Sequence, residues 1–319
     1  MTSFIVRRVI QALFVLLLVT LIVFFIMRLL PGDPILIYLA QTADINTMNP
    51  DQIQVLRAHY GLDKPMVVQY VNWLKNISHL DFGISIYWNV PVIKLLKERV
   101  PVTLYLGVIA LIIGTFFGLL AGILAAIRRG KVFDRIILPL TYLGICVPVF
   151  WLGILMIYFF GLQLRWLPLA GWTSPFTNLT MNIKQIIMPV ICLSVFGLAG
   201  NARQMRSSML EVVRQDYIRT AWSKGLRERY IILKHAMKNS LIPVITMMGM
   251  GLGHIFGGSV LVETVFAIPG MGRLSVQGIT GHDYIVVQAV TFVTAVTILL
   301  ANLLVDISYG FLDPRIHYG

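Results

Sequence analysis

The sequence contains the basic, polar stretch QDYIRTAWSKGLRERYIILKHAMKNSLIP at residues 215–243, between two long apolar runs. Its first part predicts a short helix over residues 216–224, because an acidic residue in the first turn and a basic residue in the last turn both complement the helix dipole. Gly225 then occupies the place that a left-handed helix cap favours. A second helix is predicted from Leu226 onward, and residues 239–243 are expected to re-aim the chain into the next apolar run.

The composition indicates that lipid is the main solvent of the chain. Hydrophobic residues make up 57% and charged residues 13% of the 319 residues, and the mean hydropathy is +0.81. A soluble domain carries about a quarter charged residues. The net charge of +12 therefore indicates anchoring on the cytoplasmic side of a membrane, and no nucleic acid partner is expected. The two cysteines, Cys146 and Cys192, indicate neither a disulfide framework nor a zinc site.

Long apolar runs predict an all-α integral membrane protein with six transmembrane helices. Each run reaches the length of about 20 residues that a helix needs to cross the hydrocarbon core. Prolines at positions 139 and 148 are expected to kink the third helix. The six predicted spans are residues 9–30, 102–127, 136–162, 186–210, 241–262 and 285–307.

The distribution of basic residues predicts the orientation. Arg7 and Arg8 precede the first span, and further basic residues follow the second span and fill the 215–243 stretch. Because cytoplasmic loops carry an excess of Lys and Arg, both termini are expected in the cytoplasm. The predicted parts are an N-terminal transmembrane helix at 1–30, a small extracytoplasmic helical insertion at 31–100, a transmembrane core at 101–310 that includes the cytoplasmic loop 211–240, and a cytoplasmic tail at 311–319.

Four glycines recur at helical spacing in the second span, at positions 107, 114, 118 and 122. Small residues let helices approach closely in lipid, so these glycines are expected to be helix-packing positions.

Signatures of catalysis are missing from the sequence. Gly130-Lys131 lacks the remainder of a phosphate-binding loop, so the chain is not expected to hydrolyse ATP, and no H-E-x-x-H zinc motif occurs. His254 and Ser259 lie five residues apart on one helix and point about 140° apart, which does not suit a catalytic dyad. We therefore predict no catalytic residue, no metal site and no cofactor bound by this chain.

The short predicted helix has the form of a docking element. Tyr217, Ala221 and Trp222 give it a small apolar patch, and a short helix that projects from a membrane can fit a groove on a soluble partner. The alternative interpretation, that the loop is basic only because it lies in the cytoplasm, stays open at this point.

Motifs along nearly the whole chain resemble the permease subunits of binding-protein-dependent ABC importers, in the dipeptide, oligopeptide and nickel branch. R-T-A-x-x-K-G-L at residues 219–226 and K-H-A-x-x-N-x-L-I-P at 234–243 carry the resemblance in the loop. The chain departs from the general signature of that family, since His235, Met237 and Lys238 stand where Ile, Leu and Pro are usual. Other matching stretches, in order, are RRVIQ, PGDP, YGLDKPMVVQYVNWL, DFGISI, ERVPVTL, ETVFAIPGMGRL and LDPRI.

The resemblance implies a type I importer fold and an ATP-driven import of peptides by alternating access. The implied partners are a second homologous permease, two ABC ATPase subunits that bind ATP and Mg, an extracytoplasmic solute-binding protein and membrane lipid. The implied location is the plasma membrane of a bacterium or archaeon. Import of nickel, glutathione, haem or another small solute by the same machinery stays open, as does an ion-coupled secondary carrier.

Two sets of site residues follow from the resemblance. The cytoplasmic helix would transmit ATPase closure, and spans five and six would line the passage, although each lining residue could equally be a packing residue. The expected coupling residues are Asp216, Tyr217, Arg219, Thr220, Ala221, Trp222, Lys224, Gly225 and Leu226, and the expected passage residues are His254, Phe256, Ser259, Glu263 and Phe266.

Overall fold

A computed structural model of the protein describes residues 2–29, 54–55, 57–58 and 61–312. Within these ranges it describes every side chain except those of residues 2–5, 242, 246, 248–258 and 305–312. Parts of the predicted extracytoplasmic insertion and of the predicted cytoplasmic tail therefore lie outside the described residues.

The described residues form helices joined by turns, which confirms the predicted all-α class; Ile84 and Pro91 add an isolated β-bridge. A π-helical segment spans Ile157–Gln163, and two short helical segments span Glu228–Tyr230 and Ile231–Ala236. The helices are α1 (Thr2–Leu29), α2 (Met66–Ser78), α3 (Val92–Ile127), α4 (Val132–Cys146), α5 (Val149–Met156), α6 (Leu179–Val212), α7 (Asp216–Ser223), α8 (Met237–Val265), α9 (Met271–Thr280) and α10 (Tyr284–Leu312).

Four helices in the described ranges are long and apolar enough to cross a membrane, and the bent pair of α4 and α5 raises this number to five if it is one span. α8 covers the run in which the fifth span is predicted, but many of its side chains lie outside those described. The predicted total of six spans therefore stays a prediction. The four single spans are Val6–Leu29, Val92–Ile127, Leu179–Val212 and Tyr284–Leu304.

Two helices, α4 and α5, occupy the predicted third span, and they are separated at Pro148, one of its two prolines. α4 and α5 meet at an angle of 104°. Pro148 is the residue before α5. Val147 follows the last residue of α4 and is extended, the conformation favoured for a residue that precedes proline. Pro139 lies inside α4 without interrupting it. The expected kink is confirmed at Pro148 alone, and it is sharp enough to make two helices.

Several helices extend beyond the predicted spans. α3 begins at Val92, ten residues before the predicted second span, and so runs through the predicted domain boundary at residue 100. α8 runs through residues 239–243, including Pro243, without a break, so the expected change of direction there does not interrupt the helix. A membrane helix tolerates an internal proline when neighbouring groups satisfy the freed carbonyl.

The chain divides into two compact units, and one of them combines Thr2–Val102 with Pro269–Leu299. Its core contains buried residues of α3, α9 and α10, including Leu96, Leu274 and Val290. An aromatic cluster brings Trp73 of α2 close to Phe24 of α1 and Phe292 of α10. The unit thus includes helices that are distant in the sequence.

The other unit includes Thr103–Ile268, and the glycines of α3 hold it together by close contact with α6. A Cβ atom added at Gly118 would lie 2.7 Å from the Leu198 carbonyl oxygen, and one at Gly122 would lie 2.5 Å from that of Ala202. At Gly114 the corresponding distance to the Ser194 oxygen is 2.9 Å. The prediction that these glycines are packing positions is confirmed for these three.

Candidate functional site

The short helix predicted in the basic stretch is α7, which begins after Gln215 and ends at Ser223. Gly225 follows with φ at +73°, the left-handed conformation that glycine adopts without steric cost. Its N–H donates to the Trp222 carbonyl at 2.9 Å. The predicted helix and glycine cap are therefore confirmed, and the following helical segment begins at Glu228, two residues later than expected.

One face of α7 is buried against the rest of its unit. Ile218 is completely buried, and Ala221 is 7% exposed. Their spacing of three residues places them on the same side of the helix. They belong to a buried cluster whose other members are Ala126, Met205, Met209, Ile231, Ala236 and Val244, from α3, α6, the segment before α8 and α8 itself. α7 therefore packs against the segment Ile231–Ala236, and the cluster continues from there to α6 and α8.

A hydrogen bond adds to this attachment. The Asn239 side-chain amide in α8 donates from Nδ2 to the Tyr217 hydroxyl at 2.8 Å. The π-helical segment before α8 also packs its buried residue Ile231 in the same cluster. α7 is thus joined to the start of α8 by both apolar and polar contacts.

The remaining sides of α7 are exposed, and Tyr217 and Trp222 flank the buried face. Tyr217 and Trp222 are each 44% exposed, and Leu226 beyond the glycine cap is also exposed. Arg219 lies 3.7 Å from Asp216, but both side chains are largely in solvent, so this ion pair contributes little stability. The other predicted coupling residues Thr220 and Lys224 are exposed as well.

The three residues of the predicted apolar patch differ in exposure. Ala221 is buried, whereas Tyr217 and Trp222 beside it are each 44% exposed. Ile218, which the prediction omitted, is its buried neighbour. The sequence did contain a signal for this face, because Ile218 and Ala221 are the apolar pair at a spacing of three residues. The role of α7 in contacting an ATPase stays a prediction.

A buried ion pair lies in the same unit. Arg206 of α6 donates from Nε to Asp134 Oδ1 at 2.6 Å and from its Nη2 to Oδ2 at 2.9 Å. Asp134 Oδ2 also accepts from the Gly130 N–H at 2.9 Å. Asp134 is 3% exposed. The pair fixes the turn before α4 to the part of α6 that leads into α7.

The predicted passage residues are described only in part. The side chains of His254 and Phe256 lie outside the described residues. Ser259, Glu263 and Phe266 are nearly fully buried. In this conformation these three therefore face protein rather than an open passage, and their role in transport stays a prediction.

Glu263 lies in a polar contact at the end of α8. The Thr103 hydroxyl donates to Glu263 Oε1 at 2.7 Å, and the backbone of Phe266 accepts from the Gly171 N–H at 2.9 Å. Buried polar groups in a membrane protein need such partners. Among the described residues no group of three or more His, Cys, Asp or Glu side chains is placed to hold a metal ion.

The fold and this arrangement define the class of the protein: a helical membrane component with a short helix exposed on one side and anchored on the other. Residues 118–318 match the model of the family described as binding-protein-dependent transport system inner membrane component. Residues 1–107 match the model of the N-terminal region of such membrane components. The chain belongs to this family of transport system permeases.

Relatives and a solved structure agree with the family. A peptide transport system permease of Brucella suis is 41% identical over 319 residues, and the match covers 100% of both chains. The oligopeptide transport system permease AppB of Bacillus subtilis is 37% identical, with 100% of both chains covered. The dipeptide transport system permease DppB of Escherichia coli is 36% identical, with 100% of this chain and 99% of that protein covered.

The fold is similar to that of a chain in the inward-facing MetNI methionine ABC transporter. The TM-score is 0.57 at 19% sequence identity, and the match covers 69% of this chain and 96% of that one. At this identity the likeness concerns the fold alone, and it agrees with the expected type I importer architecture.

Proposed function

We propose that this chain is one of two homologous permease subunits of an ATP-driven importer of di- or oligopeptides. Two ABC ATPase subunits would bind ATP and Mg on the cytoplasmic side, and an extracytoplasmic solute-binding protein would deliver the peptide. The chain itself would be non-catalytic, with several spans and both termini in the cytoplasm of a bacterial or archaeal cell.

The observation that carries the coupling role is the two-sided environment of α7. Its inner face, with Ile218 and Ala221, is buried among side chains of α6 and α8. Beside that face Trp222 is 44% exposed, and Arg219 extends into solvent. A helix fixed to the membrane core on one side and exposed on the other can fit a groove on a soluble protein. ATPase closure would push α7, and the buried cluster would carry that displacement into the two long helices.

Support for a peptide substrate comes from relatives aligned over their full length. Those of Bacillus subtilis and Escherichia coli are named as oligopeptide and dipeptide transport permeases. The alignments cover nearly all of each chain. Substrate-loaded binding protein and ATP would then favour the same conformation of the permease pair. Each would do so by binding to that conformation more tightly than to the alternative one.

Uptake by reconstituted vesicles tests the proposal. The chain is expressed with its partner permease, ATPases and binding protein, and labelled di- and tripeptides are offered with ATP on the side of the ATPases. We expect peptide accumulation that requires hydrolysable ATP and persists when the proton gradient is collapsed. Uptake driven by a proton gradient without ATPases would contradict the proposal, and uptake of nickel or haem in place of peptides would contradict its substrate.

A further inference from the structure

We propose that the turn between α3 and α4 binds the head groups of anionic phospholipids in the cytoplasmic leaflet. Residues 128–135 include four basic side chains, Arg128, Arg129, Lys131 and Arg135, and all four are exposed. The side of the membrane on which this turn lies rests on the proposed function. The site itself rests on the charge and exposure of the turn.

The acidic residue of the turn does not cancel this charge at the surface. Asp134 is the sole acidic residue between positions 126 and 140. Its carboxylate is turned inward, where both oxygens accept from Arg206 and one also accepts from the Gly130 N–H. Because Arg206 neutralises Asp134 beneath the surface, the outward side of the turn is left strongly positive.

Apolar side chains continue directly from the basic turn along α4. Val132 is 71% exposed, and Ile136, Leu140 and Leu143 are each more than half exposed. Spacings of four, four and three residues place them on one face of the helix. This apolar face begins inside the basic turn.

A positive surface that continues into an exposed apolar helix face matches a phospholipid rather than a soluble acidic protein. The apolar face would contact acyl chains, and the basic side chains would reach the phosphates, since long basic side chains extend from apolar surroundings towards a charged layer. The Arg128 guanidinium lies 5.9 Å from the ring centre of Phe133, which holds it beside the apolar face. Arg129, Lys131 and Arg135 are the other three exposed basic residues of the turn.

Native mass spectrometry of the whole transport complex tests this inference. Phosphatidylglycerol is titrated against phosphatidylcholine, and the dissociation constant of each lipid is measured. The test variant is Arg129→Gln with Lys131→Gln and Arg135→Gln. The matched control is Lys64→Gln with Lys75→Gln and Lys97→Gln, which removes the same charge from exposed positions of another segment.

We expect wild type and control to prefer phosphatidylglycerol, and the test variant to lose affinity by at least tenfold. Each basic residue near a lipid surface contributes about a fivefold change in affinity. A second variant, Arg129→Lys with Arg135→Lys, keeps the charge and is expected to keep the preference. Equal affinity of wild type and test variant for phosphatidylglycerol would overturn the inference. A test variant that keeps its affinity for phosphatidylglycerol but loses the ATPase subunits would also overturn it. Peptide uptake is measured separately on the same complexes, so a complex that imports peptides without lipid preference would refute this inference alone.

Discussion

Asp134 of α4 accepts two hydrogen bonds from the guanidinium of Arg206 in α6, at 2.6 and 2.9 Å. The two residues are 72 positions apart in the sequence, and the carboxylate is almost fully buried. The contact fixes the turn before α4 to the stretch of α6 that leads into α7. Removing Arg206 would leave the buried carboxylate without its cationic partner and with the hydrogen bond from the Gly130 N–H.

Arg206→Met is therefore expected to destabilise the protein by about 3 kcal/mol, the cost of breaking a buried ion pair. The measurement is the melting temperature of the purified protein in detergent. Arg203→Met serves as the control, because Arg203 lies on the same helix but is exposed. An equal melting temperature for the two variants would show that the ion pair does not stabilise the fold.

Gly122→Ala is expected to destabilise the protein by about 2 kcal/mol, because the added carbon would lie 2.5 Å from the Ala202 carbonyl oxygen and the helices would have to separate. Gly197→Ala is the control, since an added Cβ there meets no atom within 4 Å and alanine favours the helix. Thermal unfolding distinguishes them. The close-packing account fails if Gly122→Ala melts at or above the temperature of Gly197→Ala.

Thr103→Val removes the hydroxyl that donates to the buried Glu263 carboxyl group. We expect a loss of about 2 kcal/mol, because a buried polar group loses a hydrogen-bond partner. Thr103→Ser keeps the hydroxyl and should keep most of the stability. The measurement is the melting temperature of wild type, Thr103→Val and Thr103→Ser. A valine variant as stable as the serine variant would contradict the prediction.

Gly225→Pro is expected to disrupt the end of α7, because φ is +73° and proline fixes φ near −65°. The change also removes the N–H that donates to Trp222. Gly225→Ala keeps that N–H and meets no atom within 4 Å, so it should cost only about 1 kcal/mol for the left-handed backbone. Limited proteolysis of the 215–238 region compares the two; equal cleavage rates would contradict this account of the cap.

Local patterns in the sequence were enough to predict α7 and its glycine cap. Asp216 at the start of α7 and Gly225 after its end are recognisable from spacing alone. The glycine contacts of α3 were also predictable, since small residues at helical spacing have few other uses in lipid.

Features that depend on distant parts of the chain were not predictable. Pro148 indicated a kink, but the 104° angle depends on how the helices on either side pack. Ile218 and Ala221 have the spacing of one helix face, but their packing in a cluster with Met205 and Met209 of α6 depends on the tertiary structure. Asp134 was visible as an acidic residue in a basic turn, yet nothing in the sequence pointed to Arg206 as its partner.

The most direct test of the coupling role is whether the exposed face of α7 holds the ATPases. The complex is purified from membranes through a tag on this chain, and the retained ATPase is quantified for Arg219→Ala with Trp222→Ala. Phe176→Ala is the matched control, because it truncates an exposed aromatic residue in the segment before α6. Ala221→Glu is unsuitable, since it would disrupt the buried cluster itself.

We expect the double variant to retain at most about a tenth of the ATPase that wild type retains, because truncation of interface anchors commonly weakens binding this much. Its melting temperature is expected to be unchanged. The control should retain the ATPase as wild type does. Full retention by the double variant would contradict the account, because the exposed face of α7 would then not be the contact through which ATP hydrolysis acts on the membrane helices.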